Sequence, residues 1–332
     1  MKDYREANLT IEDLKNMYAA MDLGRKLDER MWLLNRAGKI PFVISCQGQE
    51  ATQIGAAYAL EKGDYTAPYY RDLAFVTYLG MTPLETMNSA FGKRDDISSG
   101  GKQMPSHFSK KEVGIMSQGS SVATQVLHAV GAALSLKMDG KQQISLTSLG
   151  EGSSNQGDFH EGLNFAGVHK LPFICLIENN KYAISVSKEL QYGAEQLSDR
   201  AKGYGMFGET VDGNDPIAVY QAVKTARERG IKGEGSTLIE AMCTRLTAHS
   251  SDDDDRYRTD DEKTFNKNHD CNLQFKQYLI DEAHIDTTWF EEIEKENKQR
   301  VHEATKQAEA SPYPDPSETY THVYDQEGEK NA

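Results

Sequence analysis

The chain has 332 residues, of which 38% are apolar, and its formal net charge is −14. A chain of this length can bury most of its surface on folding, so its composition excludes a disordered tail, a collagen-like rod and a small disulfide-stapled scaffold. The acidic balance disfavours nonspecific binding to nucleic acid or to an anionic membrane, and we expect neither as a partner.

The N-terminal region is predicted to be mainly helical. Thr10 and Asp13 form a capping pattern ahead of apolar residues at helical spacing, so a helix is expected to begin there. Residues 64–72 are predicted to form an aromatic loop. Residues 92–121, rich in Gly, Ser and Lys, are predicted to form a long loop, which is commonly mobile or functional. The predicted helices of this region cover residues 10–37, 48–63, 72–80 and 83–91.

Predicted strands and helices alternate between residues 122 and 246. The strands cover residues 143–149, 172–178, 209–213 and 236–246. The helices cover residues 122–138, 155–169 and 215–229. Such alternation is typical of an α/β fold in which helices cover both faces of a mostly parallel central sheet.

The C-terminal part differs in composition. A polar segment, residues 249–262, leads to a largely helical tail and then to a proline-containing arm over residues 311–324, which is predicted to be extended. We therefore predict one large domain over residues 1–260. A helical C-terminal region with an extended arm is predicted over residues 261–332.

Cysteine spacing and hydropathy predict the compartment. The four cysteines form no CxxC pair and are expected to be reduced core thiols: Cys46, Cys175, Cys243 and Cys271. The first ten residues lack the apolar stretch of a secretory signal. The longest apolar run, residues 171–177, is far shorter than the ~20 residues that span a bilayer. We expect a soluble, cytoplasmic protein.

The chemically informative segment is residues 148–185. One predicted strand ends in Gly150, Glu151 and Gly152, and the next ends in Asn179 and Asn180. Glycines let backbone N–H groups approach a ligand closely, and the start of the intervening helix favours an anion such as phosphate. Parallel strands end at the same edge of a sheet, so Glu151 and Asn180 are expected to converge.

A carboxylate and an amide oxygen, with phosphate and water oxygens, suit Mg²⁺. Each feature has an ordinary explanation when taken alone. A GxG triplet or an Asn pair is commonly a turn, and Glu151 alone is compatible with a solvated loop acid. The combination at strand–helix–strand spacing favours a site for a metal and a phosphate.

This segment resembles the thiamine-diphosphate motif, with GEG in place of the more usual GDG. Seven segments together resemble the alpha subunits of heterotetrameric 2-oxo acid dehydrogenases over most of residues 10–325: residues 69–72, 100–108, 120–125, 157–167, 179–185, 211–216 and 238–258. HSSDDD and RYR, within the last segment, favour the branched-chain member. The alpha subunit of pyruvate or acetoin dehydrogenase is the nearest alternative, and a non-catalytic phosphate- or nucleotide-binding module is a remote one.

The resemblance implies a thiamine-diphosphate-binding fold and an activity. That activity is oxidative decarboxylation of branched-chain 2-oxo acids, followed by reductive acylation of the lipoyl group of an acyltransferase. It further implies two alpha and two beta chains, with activity only when the beta subunit is present.

The resemblance also implies a set of site residues. Mg²⁺ would be held by Glu151, Asn180 and the backbone carbonyl of Tyr182. The cofactor would be bound by Tyr70, Arg71, Ser120, Val122, Gly150, Gly152, Ser153, Arg245 and His249, together with the metal ligands. His249 would be catalytic, facing the reacting centre, and Arg258 would help to order its loop or contact phosphate. A potassium ion would be bound by Gly119, Ser121, Thr124 and Gln125.

Several positions remain open at this stage. Some relatives have an arginine where Glu178 stands, so either Lys181 or another cation compensates or Glu178 points away. Ser250 matches a regulatory phosphoserine of mitochondrial relatives, whose phosphate would repel the diphosphate. Residues 252–255 are all aspartates but lack the spacing of a calcium-binding loop, and we interpret them as solvated. The loops over residues 92–121 and 249–262 are expected to become ordered when cofactor binds.

Overall fold

The computed structural model describes residues 1–321. The helices are α1 (Ile11–Arg36), α2 (Glu50–Tyr58), α3 (Leu73–Leu79), α4 (Pro83–Phe91), α5 (Thr124–Met138), α6 (Gly157–Val168), α7 (Arg200–Gly203), α8 (Pro216–Ile231), α9 (Asp260–Asn268), α10 (Cys271–Asp281) and α11 (Thr287–Ala310). The strands are β1 (Tyr65–Ala67), β2 (Ser145–Gly150), β3 (Phe173–Asn179), β4 (Tyr182–Ala183), β5 (Val186–Ser187), β6 (Phe207–Asp212) and β7 (Thr237–Met242).

Five strands form one parallel sheet in the order β1-β2-β3-β7-β6. All seven residues of β3 are buried, as expected for a central strand that is covered on both faces. Ile174 and Leu176 point into the core layer that contains α1, α2 and α8, whereas Cys175 and Ile177 point into the layer that contains α5 and α6. The predicted α/β fold with a mostly parallel sheet is confirmed.

Most predicted helices are found close to their expected bounds, and two local predictions are wrong. The predicted aromatic loop contains β1, a three-residue strand that lies at the edge of the sheet beside β2 and is too short to show a periodic pattern. The second helix ends at Tyr58 and not near Gly63, because the chain turns there to enter β1.

The helical C-terminal tail is also confirmed, and it packs against the N-terminal helix. Phe275 of α10 and Phe290 of α11 are fully buried in the same core layer as Leu14 and Met17 of α1. Within the predicted extended arm, Pro316–Tyr320 form a short 3₁₀ turn, and residues 322–324 lie outside the described residues. The division at residue 260 stays a prediction.

Two expectations on compartment can be compared with the structure. The four cysteines are buried free thiols, as predicted. Among residues 1–321, no helix is both long enough and apolar enough to cross a membrane. The cytoplasmic location stays a prediction.

Candidate active site

A cavity of about 420 Å³ opens where β2 and β3 end at the carboxyl edge of the sheet. Eleven of the twelve predicted cofactor-binding residues line it: Tyr70, Arg71, Ser120, Val122, Gly150, Glu151, Gly152, Ser153, Asn180, Tyr182 and His249. The twelfth, Arg245, lies behind the lining. The fold thus brings together residues that are up to 179 positions apart in the chain (249 − 70).

Glu151 and Asn180 converge as the strand ends predict. Glu151 is the first residue after β2 and is fully buried. Its Oε2 accepts a hydrogen bond from the backbone N–H of Asn180 at 3.2 Å, and its Oε1 accepts one from Nε2 of Gln191 at 3.3 Å. Burial raises the pKa of the Glu151 carboxyl. A cation beside this carboxylate would offset that cost and keep it ionised.

The remaining predicted magnesium ligand lies on the β4–β5 hairpin that follows β3. The Tyr182 carbonyl accepts a hydrogen bond from Nη1 of Arg245 at 3.4 Å and has a second lone pair. A Cβ atom built on Gly152 would lie 2.5 Å from Cβ of Ala183, so only glycine permits this close approach of the hairpin to the cavity wall.

Two buried arginines set the charge of the cavity. Arg71 and Arg245 are each 1% exposed, and the Nε atom of each is buried without a hydrogen-bond partner. Within residues 1–321, neither guanidinium forms an ion pair with a carboxylate, in contrast to the buried Arg227 and Arg258 and the partly buried Arg25. Glu178 and Asp28 near Arg71, and Glu151 near Arg245, offset part of this positive charge from a distance, and the two guanidinium groups still favour an anion in the cavity.

Arg71 is held in place by carbonyl oxygens. Its Nη1 donates to the Ser45 carbonyl at 2.5 Å, and its Nη2 donates to the His249 carbonyl at 3.3 Å. The guanidinium also lies 5.6 Å from the ring centroid of Tyr70, within cation–π range. These contacts fix a planar donor group of the kind that binds phosphate oxygens.

The tautomer of His249 follows from its neighbour. Nη2 of Arg71 lies 3.2 Å from Nδ1 of His249. A guanidinium can only donate, so Nδ1 must accept and the neutral ring carries its proton on Nε2. Burial, and next the charges of Arg71 and Arg245, lower the pKa of His249 to about 3. The site therefore holds a neutral imidazole with an N–H donor at physiological pH.

The loop that carries His249 is tied together by its own aspartates. Asp253 accepts hydrogen bonds from the His249 backbone N–H and from the Tyr257 hydroxyl. Asp255 pairs with Arg258 at 2.6 Å. The interpretation of residues 252–255 as solvated is thus wrong for Asp253 and Asp255, which are only partly exposed because they accept these internal hydrogen bonds.

Arg258 and Ser250 lie within this loop and away from the cavity lining. Nη2 of Arg258 donates to the Thr247 carbonyl at 2.6 Å, which supports the predicted role in ordering the loop. Ser250 is buried, and its Oγ accepts a hydrogen bond from the Asp252 backbone N–H at 3.3 Å. A kinase would reach this hydroxyl only after the loop opens. Phosphorylation of Ser250 stays a prediction.

Glu178 points away from the cavity, which decides between the alternatives left open by the sequence. It is buried in β3, and its Oε2 accepts hydrogen bonds from the Tyr69 hydroxyl at 3.0 Å and from Nε2 of Gln53 at 3.2 Å. Burial, and next the nearby Asp72 carboxylate, raise its pKa well above the ordinary range. No compensation by Lys181 is required, because Glu178 is not directed at the cavity.

The predicted potassium set is only partly assembled. Gly119, Ser121 and Gln125 line a separate small cavity of about 10 Å³ beside the main one. The hydroxyl of Thr124 donates to the Ser121 carbonyl at 2.7 Å, and Nε2 of Gln125 donates to the Ser148 carbonyl at 3.0 Å. The potassium site stays a prediction, as does the ordering of the two long loops by cofactor.

Several residues that line the cavity were not predicted as site residues. They are Ile44, Tyr69, Met104, His107, Ala183 and Ile184, and Phe42 also lines the cavity. All of these except Phe42 and Ile44 lie within segments that carried the family resemblance, which was the available signal for them. Ile44 has no such signal, because its segment reaches the cavity only through the packing of the loop after α1.

The sequence is similar to a known protein family and to known enzyme subunits. The model of the family described as "Dehydrogenase E1 component" matches residues 18–317. The chain is 53% identical to the 2-oxoisovalerate dehydrogenase subunit alpha of Bacillus subtilis, over 97% of this chain and 98% of that protein. It is 37% identical to the pyruvate dehydrogenase E1 component subunit alpha of the same organism, over 92% of this chain and 80% of that protein. It is 39% identical to the corresponding pyruvate dehydrogenase subunit of Staphylococcus aureus, over 89% and 76%.

Proposed function

The chain belongs to the dehydrogenase E1 component family, and on that premise we propose that it is the alpha subunit of a branched-chain 2-oxo acid dehydrogenase. The proposed reaction is thiamine-diphosphate-dependent oxidative decarboxylation with reductive acylation of a lipoyl group on an acyltransferase. The 2-oxoisovalerate dehydrogenase relative shares more identity, over more of its length, than the two pyruvate dehydrogenase relatives. This difference favours branched-chain substrates over pyruvate.

The observation that carries the proposal is the charge of the cavity. Arg71 and Arg245 are buried and form no ion pair with a carboxylate in the described part of the chain, and Glu151 and Asn180 present oxygens at the same edge of the sheet. A diphosphate with its Mg²⁺ would suit both features, because its phosphates would bond Arg71 and lie in the field of Arg245, and the metal would bind the oxygens of Glu151 and Asn180. A neutral ligand would place no negative charge beside either guanidinium.

The residues present fit the cofactor, and each has a proposed task. Glu151, Asn180 and the Tyr182 carbonyl would hold Mg²⁺. The backbone of Gly150, Gly152 and Ser153 and the side chains of Tyr70 and Arg71 would bind the diphosphate, while Ser120 and Val122 would contact its aminopyrimidine ring. Arg245 would act from behind the lining. When bound, thiamine diphosphate supplies the electron sink for decarboxylation. Gly119, Ser121, Thr124 and Gln125 remain the proposed residues for K⁺.

His249 is the proposed catalytic residue. Its ring lies at the cavity with the proton on Nε2, and it meets the edge of Tyr70 with the ring centroids 6.1 Å apart. A neutral imidazole donor can orient a substrate carboxylate or acyl oxygen without adding a third full positive charge to the site. Its backbone bond to Asp253 and its contact with Arg71 hold the ring in that orientation.

The proposed partners are a beta subunit, in an assembly of two alpha and two beta chains, and a lipoyl-bearing acyltransferase. The named relatives are themselves called alpha subunits. Met104, Val122 and Ile184 line the cavity yet are 52%, 37% and 57% exposed. Apolar side chains around the opening of a charged cavity are suited to contact with a second chain.

The test uses the chain assembled with its beta subunit. We expect magnesium-dependent binding of thiamine diphosphate by titration calorimetry, and faster turnover of 3-methyl-2-oxobutanoate than of pyruvate. The isolated chain should show no turnover, and Asn180→Ala should abolish magnesium-dependent binding in the assembly. Preferred turnover of pyruvate or acetoin would move the assignment to those enzymes. An assembly that does not bind the cofactor would support the non-catalytic phosphate-binding alternative.

A further inference from the structure

Two segments of the loop over residues 92–121, residues 106–109 and residues 117–120, are joined by hydrogen bonds beside the cavity. The hydroxyls of Ser109 and Ser117 lie 2.8 Å apart, and Nε2 of Gln118 donates to the Ser106 carbonyl at 2.8 Å. The third link joins two residues that line the cavity. In this link, Nε2 of His107 lies 2.6 Å from Oγ of Ser120. The loop therefore holds an imidazole against a hydroxyl at the cavity wall.

The direction of this third hydrogen bond is fixed by the other ring nitrogen. Nδ1 of His107 lies 2.9 Å from the Met104 carbonyl oxygen and 3.3 Å from the Pro105 carbonyl oxygen. Carbonyl oxygens only accept, so Nδ1 carries the proton of the neutral ring. Nε2 then has a lone pair and no proton, and the hydroxyl of Ser120 must donate to it.

A serine hydroxyl has one hydrogen and two lone pairs, so a free one can serve as donor or acceptor. Once its hydrogen is directed to His107, Ser120 can offer only lone pairs to the cavity. We propose that His107 is a positioning residue that makes Ser120 an obligate hydrogen-bond acceptor, so that this wall selects a ligand with an N–H donor. The inference rests on the proposed function, in which that donor is the amino group of the cofactor's aminopyrimidine ring.

The ligand group that Ser120 selects, an N–H donor, differs from the groups that the rest of the cavity selects. Arg71 and the N–H of His249 are donors, and they suit phosphate and carboxylate oxygens. Ser120 alone would not distinguish an amino group from an oxygen on the ligand. The bond from His107 adds that distinction without contact between His107 and the reacting atoms.

The test compares two cofactors that differ at the group concerned. Thiamine diphosphate carries an amino group on the pyrimidine ring, and oxythiamin diphosphate carries oxygen there. Binding of each to the alpha–beta assembly is measured by calorimetry with saturating Mg²⁺, so the readout is an affinity ratio and not activity. We expect the wild-type assembly to prefer thiamine diphosphate by about 10-fold or more, the value of one hydrogen bond of about 1.4 kcal/mol.

Variants of His107 show whether the preference depends on the direction of the Ser120–His107 hydrogen bond or only on its presence. His107→Lys offers only donors, so Ser120 must accept from it and its hydrogen is free to face the cavity. The preference for thiamine diphosphate should then fall by about 10-fold. His107→Gln, whose amide oxygen can accept, should retain the preference. Ser109→Ala, which removes a loop hydrogen bond outside the cavity, should behave as wild type and controls for loosening of the loop.

Ser120→Ala tests the same point while leaving His107 and its carbonyl contacts in place, and it should also lose the preference. A His107→Lys assembly that discriminates as well as wild type would overturn the inference, as would an unchanged preference in Ser120→Ala. A wild-type assembly that binds both cofactors equally would overturn it but leave the proposed function standing. A wild-type assembly that binds neither cofactor would overturn the proposed function, and the inference with it.

Discussion

At the scale of single residues, Arg71 is the first candidate for mutation, because its guanidinium is buried and lacks a carboxylate partner among residues 1–321. Arg71→Lys keeps the positive charge but loses the planar fork that bonds the carbonyls of Ser45 and His249. We expect the affinity of the assembly for thiamine diphosphate to fall by about 10-fold or more, as measured by calorimetry.

Arg229→Lys is the matched control for that change. Arg229 stacks on Phe207 and donates to Thr237, and it does not line the cavity. Cofactor affinity should be unchanged in this variant. If both variants lost affinity equally, the effect would come from the general loss of an arginine and not from a diphosphate contact.

His249 gives a prediction on pH. Its pKa of about 3 lies below the ~6.5 of a free imidazole, because the ring is buried and stands beside two arginines. The folded chain therefore leaves this ring neutral where the unfolded chain protonates it, so His249 lowers folding stability as pH falls through that window.

We expect the profile of kcat/KM against pH to show no acid limb from His249 between about pH 5 and 8. Arg71→Gln removes the largest charge that lowers the pKa of His249, so an acid limb should appear at higher pH in that variant. His249→Asn, introduced into the Arg71→Gln background, should remove the limb. A limb near pH 6.5 in the wild type that vanishes in His249→Asn would contradict this assignment.

At the scale of elements, a buried pair of acids joins three segments below the site. Glu178 is in β3, and Asp72 accepts hydrogen bonds from the Tyr69 backbone N–H and from Ser148 of β2. Burial raises the pKa of both acids, to about 6 for Asp72 and well above the ordinary range for Glu178. The pair is therefore most stable when Glu178 keeps its proton on one carboxyl oxygen. The other oxygen, Oε2, accepts the hydrogen bonds from Tyr69 and Gln53.

The sign of the resulting pH dependence follows from the raised pKa of Glu178. The folded chain retains a proton that the unfolded chain loses above about pH 4.3, so this residue's contribution to stability falls as pH rises. Glu178→Gln should remove that loss, so its unfolding free energy should rise relative to wild type between pH 5 and pH 8 in urea titrations. Glu309→Gln, an exposed acid paired with Lys39, should show no such gain. A constant difference at all pH values would contradict the assignment.

At the scale of the whole molecule, the sequence predicted the layers better than the site. The buried apolar run of β3 and the capping pair at Thr10 are local signals, and the sheet and α1 follow from them. β1 was missed because a three-residue edge strand has no period. The site residues came from resemblance, and their convergence was predictable from the strand ends. The turn of Glu178 into the core and the contact of His107 with Ser120 depend on tertiary approach, which no local pattern contains.

Assembly with the beta subunit is expected to depend on the apolar opening of the cavity. Ile184 of the β4–β5 hairpin lines the cavity and is 57% exposed, so it is a candidate contact for the beta subunit. Ile184→Glu would bury an unpaired carboxylate in that contact, and we expect assembly with the beta subunit to weaken by about 10-fold or more in sedimentation analysis. Leu273→Glu, at an exposed leucine of α10 away from the cavity lining, should assemble as wild type. Equal assembly of the two variants would place the beta subunit elsewhere on the chain, and the apolar opening of the cavity would then need another explanation.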